Sequence, residues 1–147
     1  MNRFVKEFRP EPTDVALCGS MSHMSQWLKV VDELRARGLT VSTPELTERI
    51  DWSVMSDEET IVQKGRLVRR HLANIATASA VLVANYEKNG IDGYIGSNTF
   101  LEMGAGFISD KPIYLLNPVP HQDNREEILA LEPIVIHGDL SKVEVPA

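Results

Sequence analysis

The sequence predicts an α/β domain whose parallel sheet is covered by helices on both faces. Short apolar runs alternate along the chain with longer segments whose apolar residues recur at helical spacing. The run over 80–84 is apolar throughout, which suits a strand buried on both faces. The 147 residues amount to one domain, long enough to bury about 70% of the unfolded surface without a disulfide or metal staple.

Residues 1–13 hold two prolines and five charges and read as a mobile arm. Val15-Ala16-Leu17-Cys18, stopped by Gly19-Ser20, reads as the first strand. Over 25–37, Trp27, Val30, Val31 and Leu34 share one helix face, and Gly38 stands where a C′ glycine belongs. A second strand over 39–43 is closed by Pro44. Ser56-Asp57-Glu58-Glu59 has the form of a capping box and opens a helix to about Ser79, with Ile61, Val68, Leu72 and Ile75 apolar and Gly65 in phase. The third strand, 80–84, leads into a loop with Gly90, Gly93 and Gly96 at intervals of three. Ser97 or Asn98 can cap the next helix, which runs to about Ser109 and is expected to bury Phe100, Met103, Gly104 and Phe107. A strand over 112–116, a short helix over 125–131 and a strand over 133–137 follow, the last ended by Gly138. Residues 140–147 read as a tail, which leaves 14–139 as a single domain. The order βαβαβαβαβ argues for a doubly wound, three-layer fold. Five parallel strands favour the flavodoxin-like order 2-1-3-4-5, with ligands at the carboxyl edge of strands one and three.

Composition narrows the function. The net charge is −6, and no cluster of Lys and Arg exceeds Arg66, Arg69 and Arg70, so nucleic acid is not expected as a partner. Cys18 is the one cysteine, which excludes an intrachain disulfide and a Cys-based zinc site. His23, His71, His121 and His137 form no HExxH or CxxC pattern; His71, His121 and His137 read as surface or strand-end residues. No metal or tightly held cofactor is implied. The amino-terminal residues carry no apolar signal region and no apolar run reaches 18 residues, so a soluble cytoplasmic protein, with no membrane partner, is expected.

The loops after strands one and three meet at the switch point of such a sheet. The first, Gly19-Ser20-Met21-Ser22-His23-Met24-Ser25, is rich in hydroxyls and leads into a helix N-terminus, where N–H groups favour an anion or a sugar hydroxyl. A plain cap by Ser22 or Ser25 is an equal reading. The second loop, longer than usual, carries Tyr86, Asn89, Asp92, Tyr94, Ser97 and Asn98, and reads as a lid or binding loop or else as a surface insertion. Glu102 is the sharpest residue. Its helical neighbours Asn98, Ala105 and Gly106 make a small, polar stripe that another group can approach, and the first turns of the helix favour a carboxylate. The alternative is an exposed glutamate placed for the helix dipole alone.

Three segments carry a resemblance: Val15-Ala16-Leu17-Cys18-Gly19-Ser20; Ala80-Val81-Leu82-Val83-Ala84-Asn85; and Asn98-Thr99-Phe100-Leu101-Glu102-Met103-Gly104-Ala105-Gly106 followed by Asp110-Lys111-Pro112-Ile113-Tyr114-Leu115-Leu116. Together they resemble the nucleoside 2-deoxyribosyltransferase superfamily, which includes the 2′-deoxynucleoside 5′-phosphate N-hydrolases. The resemblance spans about residues 15–118, and the Glu-x-Gly helix before a Lys-Pro strand is its most specific part. It implies a flavodoxin-like fold, a homodimer or larger homo-oligomer, and a small-molecule nucleoside or nucleotide as partner. It further implies cleavage or transfer of an N-glycosidic bond, with Glu102 acting at the anomeric carbon. Gly19 and Ser20 match the family's Gly-Ser turn beside the sugar or its 5′ group, Tyr86 lies in the loop that faces it, and Ser97 and Asn98 stand where some members bind a 5′-phosphate. Many members end strand three with an acid that aids proton transfer at the base. Here that position is Asn85, and Glu87 and Asp92 are candidates for a displaced acid. The alternative is a non-catalytic nucleotide-binding or sensor domain of the same fold.

Overall fold

In the computed structural model, which describes residues 2–146, five parallel strands form one sheet in the order β2-β1-β3-β4-β5. The strands are β1 (Thr13–Cys18), β2 (Val41–Ser42), β3 (Ala78–Val83), β4 (Ile113–Leu115) and β5 (Ile134–Val135). The helices are α1 (Arg3–Phe8), α2 (Met24–Ala36), α3 (Asp57–Thr77), α4 (Ser97–Ile108) and α5 (Arg125–Ala130). The flavodoxin-like order expected from the alternation of strands and helices is the one observed.

The centre of the sheet is the pairing of β1 with β3, in register from Thr13 opposite Ala78 to Cys18 opposite Val83. Successive side chains point to opposite faces, so each apolar run supplies two cores. Val15, Leu17 and Leu82 pack with Trp27, Val31 and Leu34 of α2. Ala16, Cys18, Val81 and Val83 pack on the opposite face with Ile75 of α3 and Met103 of α4. The end of β1 is thereby aimed at the α3–α4 side.

The helix ends follow their local chemistry. The Glu59 amide donates to Ser56 Oγ and the Ser56 amide to Glu59 Oε1, closing the capping box at α3. Gly38, with φ of +86°, ends α2 in the left-handed region that glycine enters freely. At α4 the expectation changes. The cap position is Gly96, in extended backbone and without a side-chain cap, so Ser97 and Asn98 are already in the helix with their side chains uncommitted.

The buried stripe of α4 is also rotated from the one expected. Thr99, Glu102, Met103 and Gly106 are buried, while Phe107 is 41% exposed. The reason is Gly106. A Cβ there would stand 3.0 Å from Val81 Cγ2, so the missing side chain lets the helix lie directly on β3 and brings Glu102 inward. On α3 only the carboxyl half is covered, with His71, Ala73, Asn74 and Ile75 buried and Ile61 70% exposed. The amino half of this 21-residue helix packs against less of the domain, so Ile61, one of its apolar positions, stays outside the core.

In the stretch expected as an arm, α1 has its Glu7 carboxylate 3.5 Å from Arg69 of α3. In the stretch expected as a tail, Leu140 and Val143 are buried in the α2-side core, and Tyr114 Oη donates to the Glu144 carbonyl at 2.9 Å. Met1 and Ala147, the ends of these two segments, lie outside the described residues.

Replacing Gly106 with Val forces branched carbons against an immobile Val81. The expected loss is about 1–3 kcal/mol, the usual cost of overpacking, read as a shift of the denaturant midpoint at unchanged slope.

Candidate functional site

The site begins where β2 stops short. Val15 pairs with Val41, and the Val15 amide donates to the Thr40 carbonyl, so alternate β1 residues bond toward β2. Two residues on, the Leu17 carbonyl would accept from residue 44, which is Pro44 and has no N–H. A buried carbonyl without a donor costs about 1–3 kcal/mol. His71 of α3 supplies the donor: its Nε2 lies 2.9 Å from the Leu17 oxygen. The other ring nitrogen, Nδ1, is 3.2 Å from Asn74 Nδ2, and the same amide group donates to the Thr43 carbonyl at 3.3 Å. Since Asn74 donates to Nδ1, the ring proton sits on Nε2.

Two further groups stand beside that nitrogen. Glu102 Oε2 is 3.4 Å from Nε2 and Cys18 Sγ is 3.6 Å from it. Cys18, His71 and Glu102 are all buried, with donor atoms within 4.8 Å of one another. Burial pushes the Glu102 carboxyl up to about 8. Burial also pushes His71 down to about 4, against the opposing effect of its bond to Leu17. The Cys18 thiol is pushed well up by burial and then by the Glu102 charge. Burial thus favours the protonated carboxyl and the neutral imidazole at neutral pH, so their 3.4 Å contact is not an ion pair.

Glu102 is thus neither exposed nor placed for the helix dipole alone. It lines a cleft of about 320 Å³ with Gly19, His71, Asn98 and the apolar Leu67 and Val68. Glu45 lies on the same cleft, 2.6 Å from Arg66, whose hydrogen bond holds its carboxyl below the usual range. A second cleft, of about 360 Å³, adjoins across Gly19 and Asn98 and carries Ser20, Tyr86, Lys88, Ser97 and Thr99. Gly19 permits this join: a Cβ there would stand 3.1 Å from Trp27 Cδ1 and 3.4 Å from the Ala84 carbonyl. Ser20 itself caps the turn after β1, accepting from the Ser22 amide at 3.3 Å, and its carbonyl accepts from Trp27 Nε1.

Gly19, Ser20, Tyr86, Ser97 and Asn98 thus surround one pair of clefts with Glu102. Asn85 also lines the second cleft, but its amide is committed elsewhere. Nδ2 donates to the carbonyls of Gly93, Asn117 and Pro118, and Oδ1 accepts from the Asn117 amide. Asn85 is a latch between the loops after β3 and β4. Asp92 lines a further hollow with His121 and Pro118, which meets the second cleft at Tyr86, and it does not line the cleft that holds Glu102. Glu87 lines the same hollow, its carboxylate accepting from the Gly90 amide at 2.7 Å.

Sequence reasoning missed His71, Asn74 and Glu45. For His71 the signal was present: it stands three residues after Val68 and four before Ile75, in phase with the covered face of α3.

No protein-family model and no curated protein matches this chain. Among solved structures, a 2-deoxyribosyltransferase from the psychrotolerant bacterium Bacillus psychrosaccharolyticus is similar in fold. The match has a TM-score of 0.51 at 21% identity, over 69% of this chain and 70% of that one.

The two buried groups give stability limbs of opposite sign. The folded-state pKa of Glu102 is raised from 4.5 to about 8, so its contribution is full below pH 4.5 and is lost as pH rises toward 8. For His71 it is lowered from 6.5 to about 4, so its contribution is full above pH 6.5 and is lost as pH falls toward 4. Denaturant titrations across pH should show Glu102→Gln flattening the alkaline limb and leaving the acid limb in place. Asn85→Asp should turn a carboxylate oxygen toward three carbonyl oxygens. It is expected to cost about 2 kcal/mol or more in unfolding free energy at pH 7, whatever it does to activity.

Proposed function

We propose that this protein cleaves or transfers the N-glycosidic bond of a nucleoside or nucleotide, with Glu102 acting at the anomeric carbon. The supporting observation is the position of that carboxyl: buried on α4 and facing a cleft that adjoins a second, more polar one across Gly19 and Asn98. The similarity of fold to a 2-deoxyribosyltransferase agrees with this reading.

As the C–N bond breaks, its electron pair leaves with the base and positive charge builds at the anomeric carbon. The Glu102 carboxylate stabilises that charge or bonds to the carbon, and water or a second base then displaces it. Pro44, Leu67 and Val68 form the apolar part of the cleft wall, and low local polarity beside the buried carboxyl strengthens the attraction between carboxylate and cation. Ser20, Ser97 and Asn98 offer hydroxyl and amide groups to the sugar or its 5′ group, and Tyr86 and Lys88 line the same wall. The leaving base takes its proton from Asp92, from Glu87 or from water; the two acids line a further hollow that meets the polar cleft at Tyr86. General acid help is worth about 10²- to 10⁴-fold, so its absence slows the reaction without abolishing it. Leu101, Phe107 and Ile108 are exposed apolar residues on α4, which supports a homo-oligomer.

A second reading is a binding or sensor domain of the same fold. The observation that favours it is the Asn85 amide, fully occupied by backbone where an acid would aid the base.

The test is a panel of nucleosides and 5′-monophosphates, with and without a second free base, followed by chromatography. Base release that disappears in Glu102→Ala is expected. Its rate should rise about tenfold per pH unit below pH 8 and level off above, because the carboxylate is the acting form. Thermal shifts with intact ligands would instead move the protein to the second reading.

A further inference from the structure

We infer that His71 is a positioning residue for Glu102: a buried imidazole, locked in one tautomer by Leu17 and Asn74, whose Nε2 stands 3.4 Å from the carboxyl and whose N–H takes up the carboxylate when it ionises. The inference rests on the reading of Glu102 given above and extends it to a residue outside the clefts' polar wall.

Both ring nitrogens are fixed by backbone, one directly and one through an amide. Nε2 donates to the Leu17 carbonyl at 2.9 Å, in place of the N–H that Pro44 lacks. Nδ1 accepts from Asn74, which also bonds the Thr43 carbonyl. The ring is therefore tied to the ends of both β1 and β2, and its remaining freedom is small. Glu102 Oε2 stands 3.4 Å from Nε2, off the direction of the bond to Leu17. A contact of this length closes to a charge-assisted hydrogen bond when the carboxylate carries full charge, as it must when the anomeric carbon turns positive. Because Nε2 already bears a proton, His71 cannot receive the Glu102 proton there. Its part is to orient and to stabilise the ionised form.

The ionisable groups around Glu102 are Cys18 from β1 and His71 from α3, with Glu45 and Lys64 lining the same cleft. Glu45 is held by Arg66 and Arg70, and Cys18 offers no positive charge. Of these ionisable groups, His71 is the one that brings an N–H-bearing nitrogen within 4 Å of the Glu102 carboxyl.

The experiment uses the full chain. His71→Leu keeps bulk and removes the donor. His71→Gln keeps an amide N–H at about the reach of Nε2. Asn74→Leu leaves the ring and frees it. The expected result is a kcat lowered about ten- to a hundred-fold in His71→Leu, the cost of a hydrogen bond to a charged group, with KM within twofold. The pH midpoint of kcat should move upward. His71→Gln should recover most of the loss, and Asn74→Leu should fall between them. A ¹³C NMR titration of the Glu102 carboxyl reads the same shift without turnover. If the wild type releases no base from the panel, the enzymatic reading fails, while an upward shift in this titration still supports the His71–Glu102 bond. An unmoved carboxyl titration in folded His71→Leu overturns the inference. So does one equivalent of zinc in the purified protein that is lost in Cys18→Ser, since Nε2 would then carry a metal where the inference places a proton.

Discussion

The carbonyl of Leu17 organises the site. It lies at the buried end of β1, on the side where β2 has run out and where the residue next in register is proline. Something must donate to it, and the imidazole of His71 does. That one bond fixes where α3 sits against the end of β1 and draws a polar ring into an otherwise apolar layer. It also sets which nitrogen carries the proton. Cys18 follows Leu17 and therefore points to the same layer from the opposite pleat, and Glu102 closes the group from α4.

The same layer holds α4 at close range. Gly106 on Val81 allows the helix to sink onto β3, and Glu102, one turn earlier, sinks with it. A carboxyl carried into an apolar layer is protonated at rest, and one N–H beside it is modest compensation for burial. The arrangement is costly for stability at alkaline pH and useful for chemistry that develops a cation, because a desolvated carboxylate is a strong partner for positive charge. This is the usual trade between a well-packed core and a working group placed within it.

Asn85 shows how a position can change role without changing place. It stands at the end of β3, on the wall of the more polar cleft, yet its side chain ties Gly93, Asn117 and Pro118 together. Gly93 has φ of +67°, and a Cβ there would meet the Pro118 carbonyl at 2.7 Å, so the latch and the glycine are needed together. The loops are ordered by this amide, and Asp92 and Glu87 are carried to a further hollow.

The alternation of apolar runs and helical stripes was enough to define the parallel sheet and its strand order, because the right-handed crossover leaves few ways to wind five such units. Glu102, Gly19 and Ser20 were also legible, since a glycine-serine turn and a carboxylate in a small-residue stripe are local patterns. What the linear pattern did not carry was phase and partnership. The rotation of α4, which buries Glu102 and exposes Phe107, depends on how closely Gly106 meets Val81, a contact across 25 residues of chain. His71 read as a surface residue because its partner is a backbone carbonyl 54 residues away, orphaned by a proline on a third segment. Its phase with Val68 and Ile75 marks it for the covered face, but backbone hydrogen bonding is the same for every residue type, so nothing in the helix's own sequence names the carbonyl it serves. Only the packed structure brings the two together.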